Sequence, residues 1–410
     1  MDKRKLLVKK CTKNVLQLLC EQLLEILHCV HDEKKRIWVR SWLDRRNSHG
    51  VLNLLLKELA EEDTHEFTNC MRMDPTTFEI LLNKVHQKIQ RSNTIMREAI
   101  PARVKLQVTL SYLATGNSYR NLQQSFRVSR AAISKFIPEV CDEIYEALGD
   151  FIKVPSTHEE WKVIEEGFNK RWNFPGCYGA IDGKHINIRA PANCGSYYFN
   201  YKGSNSVVLM AIVDDNYCFR YVDVGCNGRF SDAGVFQNCE ISKALENNLL
   251  PNGGFIVGDD AFPLKPYLLK PYSRKQLMLS EKIFNYRLSR ARRIVENAFG
   301  ILVGKFRVFE KPIACDVSTV DKIILACCAL HNWLRITNKN YFSRGLVDEE
   351  NLDEYRIIEG SWRFQSHNGL LPISNAGSNH SSQVARLLRE KYTAYFMNEG
   401  SVPWQERMIF

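Results

Sequence analysis

The sequence predicts a mixed α/β domain preceded by a region that is almost entirely helical. Two observations carry this reading. Residues 1 to 150 place apolar side chains at helical spacing. From about Gly176 the pattern changes to short segments rich in β-branched and aromatic residues, with helical segments between them.

In chain order, Leu16, Leu19, Leu23, Leu24 and Leu27 fall on helical spacing. A basic cluster follows at Lys34, Lys35, Arg36, Arg40, Arg45 and Arg46, interleaved with Trp38 and Trp42. Asp74-Pro75 reads as a helix start, with Phe78, Leu81, Leu82 and Val85 as its buried stripe. Two helical segments follow, around Val104 to Ala114 and Ser118 to Phe126. Strands are expected at Tyr178 to Gly183, Val207 to Val213, Phe219 to Val224 and Gly254 to Asp259. Helices are expected at Ala233 to Asn247 and Ser280 to Val303. Residues 366 to 382 are rich in Ser, Asn and Gly and read as a linker. An amphipathic helix then carries Val384, Leu387, Leu388, Tyr392 and Phe396 on one face.

The 410 residues are 45% hydrophobic, 25% charged and 11% aromatic, a globular composition that excludes a disordered or fibrous chain. Lys and Arg number 56 against 46 Asp and Glu, and the surplus of +10 points towards a polyanionic partner such as nucleic acid. The apolar run Ile323 to Leu330 is too short to span a bilayer, and no secretion signal opens the chain. Thirteen cysteines are scattered, with no C-x-x-C pair and no zinc-ligand spacing, which fits reduced thiols in the nucleus or cytosol.

Ser118 to Glu139 has the form of a helix-turn-helix: a first helix, a turn at Arg127-Val128, and a second helix capped by Ser129. The second helix carries Arg130, Ser134 and Lys135 outwards and Ile133 and Phe136 inwards. Between Pro101 and Pro138 there are six basic residues and no acidic ones, so DNA contact is expected here, with Arg127, Arg130 and Lys135 as candidates.

Two carboxylates lie at apolar strands next to glycines, Asp182 before Gly183 and Asp259 after Gly258. A charge at the end of an apolar strand is costly unless it is hydrogen-bonded, hydrated or bound to a cation. Glu296 sits in a basic helix after Arg287, Arg290, Arg292 and Arg293. Three such acids would form an oxygen-only site suited to Mg²⁺ or Mn²⁺. Two ions held so can stabilise both oxygens of an in-line phosphoryl displacement. From Leu264 to Pro312 there are twelve Lys/Arg and three acidic residues, so a polyanion is expected near Glu296, with Arg290, Arg292, Arg293, Lys305 and Arg307 as candidate DNA contacts. Composition leaves the choice of acids open, because Asp214, Asp215, Asp223, Asp232 and Asp260 could equally be turn carboxylates.

The chain resembles the PIF/Harbinger superfamily of DDE transposases and the nucleases domesticated from them. The resemblance runs from about Lys34 to Gln405. It is carried by Arg36-Ile-Trp-Val-Arg-Ser-Trp-Leu, Met73-Asp-Pro-Thr-Thr-Phe, Leu113-Ala-Thr-Gly-Asn-Ser-Tyr, Cys177-Tyr-Gly-Ala-Ile-Asp-Gly-Lys-His-Ile, Phe230-Ser-Asp-Ala-Gly-Val-Phe, Val257-Gly-Asp-Asp-Ala-Phe-Pro-Leu, Arg293-Ile-Val-Glu-Asn-Ala-Phe-Gly-Ile-Leu and Leu330-His-Asn-Trp-Leu. The resemblance implies an RNase H-like core at 151–340, after a helical region at 1–150 with its helix-turn-helix at 101–140, and before a C-terminal linker and helix at 341–410. It places the family acids on Asp182, Asp259 and Glu296, as catalytic and metal-holding residues for two divalent ions. His185, Asp232 and Asp260 are candidate supporting residues around them. His331 reads as a core histidine. Lys184 stands where many relatives carry a small hydroxyl residue, and Phe262 where many carry tyrosine.

The implied activity is cutting of double-stranded DNA, with joining of element ends in a transposase. The alternatives are a domesticated nuclease with a host role and a catalytically silent binding protein that retains the fold. The resemblance also implies a Myb/SANT-like DNA-binding accessory protein, to which residues 101–138 or the Trp-Arg cluster could dock. A homodimer, a nuclear location with a cytoplasmic pool, and no membrane association complete the expectations.

Overall fold

The computed structural model describes residues 2–31, 39–95, 97–228, 232–273, 275–338, 341–342, 345–364, 370–372 and 381–409. Helices are built where capping and apolar spacing agree. Asp74 accepts from the Thr77 amide at 2.9 Å, Pro75 takes the first helical position, and the helix Pro75–Ile89 buries Phe78, Leu81, Leu82 and Val85. Ala102–Thr115 and Tyr119–Phe126 follow, then Arg130–Leu148 behind the Ser129 cap. Ile133 and Phe136 face inwards as their spacing predicts. The long N-terminal helix Asp2–His31 is regular, but Leu16, Leu19, Leu23, Leu24 and Leu27 stay exposed. Lys34, Lys35, Arg36 and Trp38 lie outside the described residues.

The sheet begins as an antiparallel meander of β1 (Cys177–Asn187), β2 (Ser206–Val213) and β3 (Phe219–Asn227). β4 (Phe255–Val257) and β5 (Leu268–Leu269) then join parallel to β1, giving the order β3-β2-β1-β4-β5. Every residue of β2 is buried, so both of its faces are covered. His158–Trp172, Leu279–Lys305 and Val317–Thr337 pack on the sheet. At the β2–β3 turn the Asp214 carboxylate accepts from the Asn216 and Cys218 amides, at 2.8 and 2.9 Å, and from Arg220. Asp214 is therefore a turn carboxylate.

The structure departs from the sequence reading in several places. The helix expected at 233–247 is two, Asp232–Asn238 and Glu240–Glu246, broken at Cys239. β5 is too short to leave a periodic signal. Val317–Thr337 is apolar on nearly every side, so no amphipathic stripe announces it. Late in the chain, β6 (Glu349–Asn351) and β7 (Arg356–Ile358) form a hairpin, and β8 (Leu370–Pro372) pairs with residues 184–186 of β1. Of the expected linker at 366–382, only 370–372 and 381–382 are described. The helix Gln383–Met397 docks on the core through Ala385, Tyr392 and Phe396, with Tyr392 packed edge-on to Phe255 at 4.8 Å. Val384 and Leu387 point outwards, so the apolar stripe is narrower than its sequence suggests.

The helical region and the sheet share one buried cluster, from Leu56 to Phe396. Arg72 ties them together by donating to the carbonyls of Lys305 and Ala114, at 2.8 and 3.0 Å. Gly116 ends its helix at φ +63°, and a Cβ there would meet the Arg307 carbonyl at 2.9 Å. Among the described residues no helix is long and apolar enough to cross a membrane. All described cysteines are free thiols.

Candidate active site

Asp182 does not end its strand, as the sequence reading has it. β1 runs on through Gly183 to Asn187, held by the ladder to β2. The parallel partner β4 is the strand that stops, at Val257. Ala180 pairs with Val257, so Asp182 and Asp259 each stand two residues beyond a paired position on neighbouring parallel strands. The register thus brings the two acids side by side where β4 ends. Gly258 permits this approach, because a Cβ there would lie 2.9 Å from the Phe262 ring and 3.2 Å from Ile181.

Asp182 is 3% exposed. One carboxylate oxygen accepts from the Gly183 amide at 3.0 Å. The other, Oδ2, lies 2.8 Å from Lys184 Nζ without an aligned hydrogen bond. Asp259 accepts from the Ala261 amide at 3.0 Å. Its carboxyl is pushed up to about 6 by burial and by the Asp182 charge, against the opposing pull of Arg292.

Glu296 comes from the middle of Leu279–Lys305. It is held by Arg292, one helical turn earlier, and by Arg363 at 3.1 Å. Arg363 is anchored in turn by the buried Asp348 at 2.5 Å. Burial depresses the Arg292 guanidinium, but Glu296, Asp182, Asp259 and Asp260 together hold it above its ordinary value. Lys184 is likewise depressed by burial and raised more strongly by Asp182 and Glu296. The three acids therefore converge electrostatically on Arg292, and two of them, Asp182 and Glu296, on Lys184.

The donor set fits a hard divalent cation, being all oxygen, with a buried Asp182 oxygen that accepts no aligned hydrogen bond. Among the described residues no three of His, Cys, Asp and Glu stand close enough to hold an ion as they are placed. In the present arrangement the side chains of Lys184, Arg292 and Arg363 neutralise the acids instead.

His185 turns to the other side of the strand, where Nδ1 meets Ser206 Oγ at 2.9 Å. Burial and Lys202 lower it to about 4, which keeps it neutral. Asp260 receives Lys270 on its backbone carbonyl at 3.0 Å. The Asp232 side chain lies outside the described residues. His331 is a core histidine, with Nε2 2.8 Å from the Tyr217 carbonyl oxygen.

The basic stretch around Glu296 is largely turned inwards, contrary to the expected DNA surface. Arg290 and Arg293 are buried and meet the Glu350 carboxylate at 2.6 and 3.2 Å. Arg287 is fully buried, donating to the Gly400 and Asn173 carbonyls and to Gln405. Such partnered charges are unavailable to a phosphate backbone. Lys305 lies over the Tyr341 ring, and Arg307 is exposed beside Glu310.

The helix-turn-helix candidates divide in the same way. Arg127 takes the left-handed position that ends Tyr119–Phe126 and donates to the Trp42 and His49 carbonyls, both at 2.8 Å. It clasps the segment at 40–50 onto the turn instead of facing outwards. Lys105 is buried against the Ile89 carbonyl, and Arg103 pairs with Glu79. Arg130 and Lys135 remain at the surface. Sequence reasoning missed Arg292, Lys184 and Arg363 as the groups that neutralise the acids. The spacing from Arg292 to Glu296 signals such a pair, whereas Arg363 has no local signal.

Residues 181–332 match the family described as DDE superfamily endonuclease, a segment that contains all three acids. Residues 49–146 match a family described only as a domain of unknown function. The protein named "Putative nuclease HARBI1" of Rattus norvegicus is 26% identical over 284 residues, covering 66% of this chain and 78% of that protein. Its namesake of Homo sapiens is 24% identical over 280 residues, covering 66% of this chain and 78% of that protein. "Protein ALP1-like" of Arabidopsis thaliana is 29% identical over 243 residues, covering 56% of this chain and 59% of that protein. No solved structure matches the chain.

Proposed function

We propose that this chain, which belongs with the Harbinger-type DDE superfamily endonucleases, is a metal-dependent nuclease that cuts double-stranded DNA. The observation that carries this reading is the strand register that sets Asp182 beside Asp259, together with Glu296 paired to the half-buried Arg292, whose guanidinium is also raised by both aspartates. The strand order β3-β2-β1-β4-β5, with the last two strands parallel to β1, supports an RNase H-like core.

Asp182 and Asp259, with Glu296 opposite, are the residues that would hold the metal. When bound, Mg²⁺ or Mn²⁺ supplies Lewis-acid activation of the scissile phosphate and of the attacking water. The chain's own part is positioning. The Gly183 amide fixes the Asp182 carboxylate, and the Ala261 amide fixes that of Asp259. Arg363, anchored by Asp348, aims Glu296 from its helix. Lys184 and Arg292 keep three carboxylates together until a cation takes over part of that role.

Transposition is the same chemistry with a DNA 3′-hydroxyl in place of water. Paired cutting of two DNA ends calls for a homodimer. A Myb/SANT-like accessory protein and a nuclear location accompany this reading. The test is cleavage of labelled duplex DNA with Mn²⁺ by wild type and Asp182→Asn. The variant is expected to lose at least about 100-fold in rate while melting at nearly the wild-type temperature. Undiminished cutting by the variant would remove Asp182 from the site.

A further inference from the structure

Away from the acidic centre, two clefts meet at the start of the helix Arg130–Leu148. The first, of about 400 Å³, lies between residues 39–46, residues 97–100 and that helix start. Arg40, Arg46, Arg97 and Arg130 line it, with Glu98 as its one carboxylate. The second, of about 760 Å³, lies between the starts of Tyr119–Phe126 and Arg130–Leu148 and the core segment 308–315. It is lined by Arg120, Arg130 and Lys311, with hydroxyls of Ser118 and Ser134 and no carboxylate. Arg130 lines both, so the clefts form one track from the N-terminal helices to the catalytic half of the chain.

The ordinary reading of such side chains is a solvated surface. Three features count against it. Among the described residues, Arg40, Arg97, Arg120, Arg130 and Lys311 have no carboxylate within ion-pair distance, although the chain pairs Arg103, Arg290 and Arg293 with acids elsewhere. Arg46 is half-buried, and its guanidinium is depressed first by burial and then by the neighbouring Arg97 charge, which together outweigh the opposing pull of Asp44 and Glu98. Like charges gathered in a cleft repel one another until an anion enters. The extent of the track also matters. Each cleft is far larger than a single small anion, and two joined clefts fit successive phosphates.

We propose that this track is a second DNA contact, separate from the acidic centre, which holds the sugar–phosphate backbone of the duplex without reading its bases. The proposal deepens the nuclease reading by giving the substrate a path across the molecule. It commits to phosphate contact, because arginines and hydroxyls line the track and aromatic rings for stacking free bases do not dominate it.

The test is anisotropy of a labelled random-sequence duplex with the full chain and no divalent metal, across a salt series. Arg97→Ala and Arg130→Ala are each expected to raise Kd roughly 5- to 10-fold and to reduce the log–log salt slope by about one. Arg97→Lys and Arg130→Lys are expected to recover most of the affinity, which separates lost charge from lost folding. Lys162→Ala, on the distant helix His158–Trp172, is expected to bind as wild type. Unchanged Kd and slope in both alanine variants would overturn the proposal, as would failure of the wild type to bind duplex DNA. If the alanine variants bind poorly while wild type cuts DNA with no metal, the track stands and the nuclease reading falls. If wild type cuts DNA and the variants bind normally, the reverse holds.

Discussion

The Asp182 carboxylate is buried in its strand, and Lys184 stands 2.8 Å from it. The same lysine competes with any cation for that carboxylate. Lys184→Ser is therefore expected to lower the apparent Kd for Mn²⁺ several-fold in a calorimetric titration, since removal of a close like charge favours the incoming ion. Weaker Mn²⁺ binding by this variant would show that Lys184 supports the site instead of opposing the metal. Asp182 and Asp259 stand out in the sequence through their glycine neighbours, but only the family motifs single them out with Glu296 from the other acids. Their neutralising groups are not legible, because Lys184 and Arg292 acquire that role only when β1, β4 and the helix meet. His331 illustrates the opposite case, a bland reading from sequence that the structure explains. Burial holds it at about 4, against about 6.5 in the unfolded chain. The unfolded chain therefore takes up the proton first as pH falls, so the stabilisation is present above pH 6.5 and is lost towards pH 4. The loss amounts to about 3 kcal/mol for a shift of this size. His331→Gln is expected to flatten the decline of melting temperature over that window, and an unchanged slope would contradict the assignment.

At the level of elements, the helix Leu279–Lys305 shows why a linear charge count misleads. Its arginines at 287, 290 and 293 recur every three residues and so share a face. Their partners are Glu350, Gly400 and Gln405, supplied from over fifty residues away. No local pattern announces those contacts, and the stretch reads as a DNA surface. Arg290→Ala is expected to cost roughly 3 kcal/mol of stability by breaking a buried ion pair. It is expected to leave the salt dependence of DNA binding unchanged, whereas a reduced slope would restore Arg290 as a phosphate contact. Arg127 makes the same point at the turn between Tyr119–Phe126 and Arg130–Leu148. Arg127→Ala is expected to melt lower and to expose residues 40–50 to proteolysis, because two carbonyls lose their donor. Unaltered cleavage in that segment would contradict the clasp. Helices with a cap and a stripe, such as Pro75–Ile89, are fully legible. Val317–Thr337 is not, since burial on all sides erases the periodicity.

Across the whole molecule, the sequence divides into a helical part and a sheet part, but the structure packs them on one core. Helix Arg130–Leu148 lies against Val317–Thr337, and Arg72 bridges the two parts. The helices therefore form the wall from which the proposed basic track would cross to the sheet-bearing half. The central claim is that Asp182, Asp259 and Glu296 act together on DNA through a divalent cation. The measurement that tests it most directly is single-turnover cleavage of labelled duplex DNA by wild type and Glu296→Gln, with Mg²⁺, with Mn²⁺ and with chelator. The account predicts cutting by wild type only with metal, and its loss in the variant with DNA binding retained. Metal-independent cutting, or cutting that survives Glu296→Gln, would contradict it.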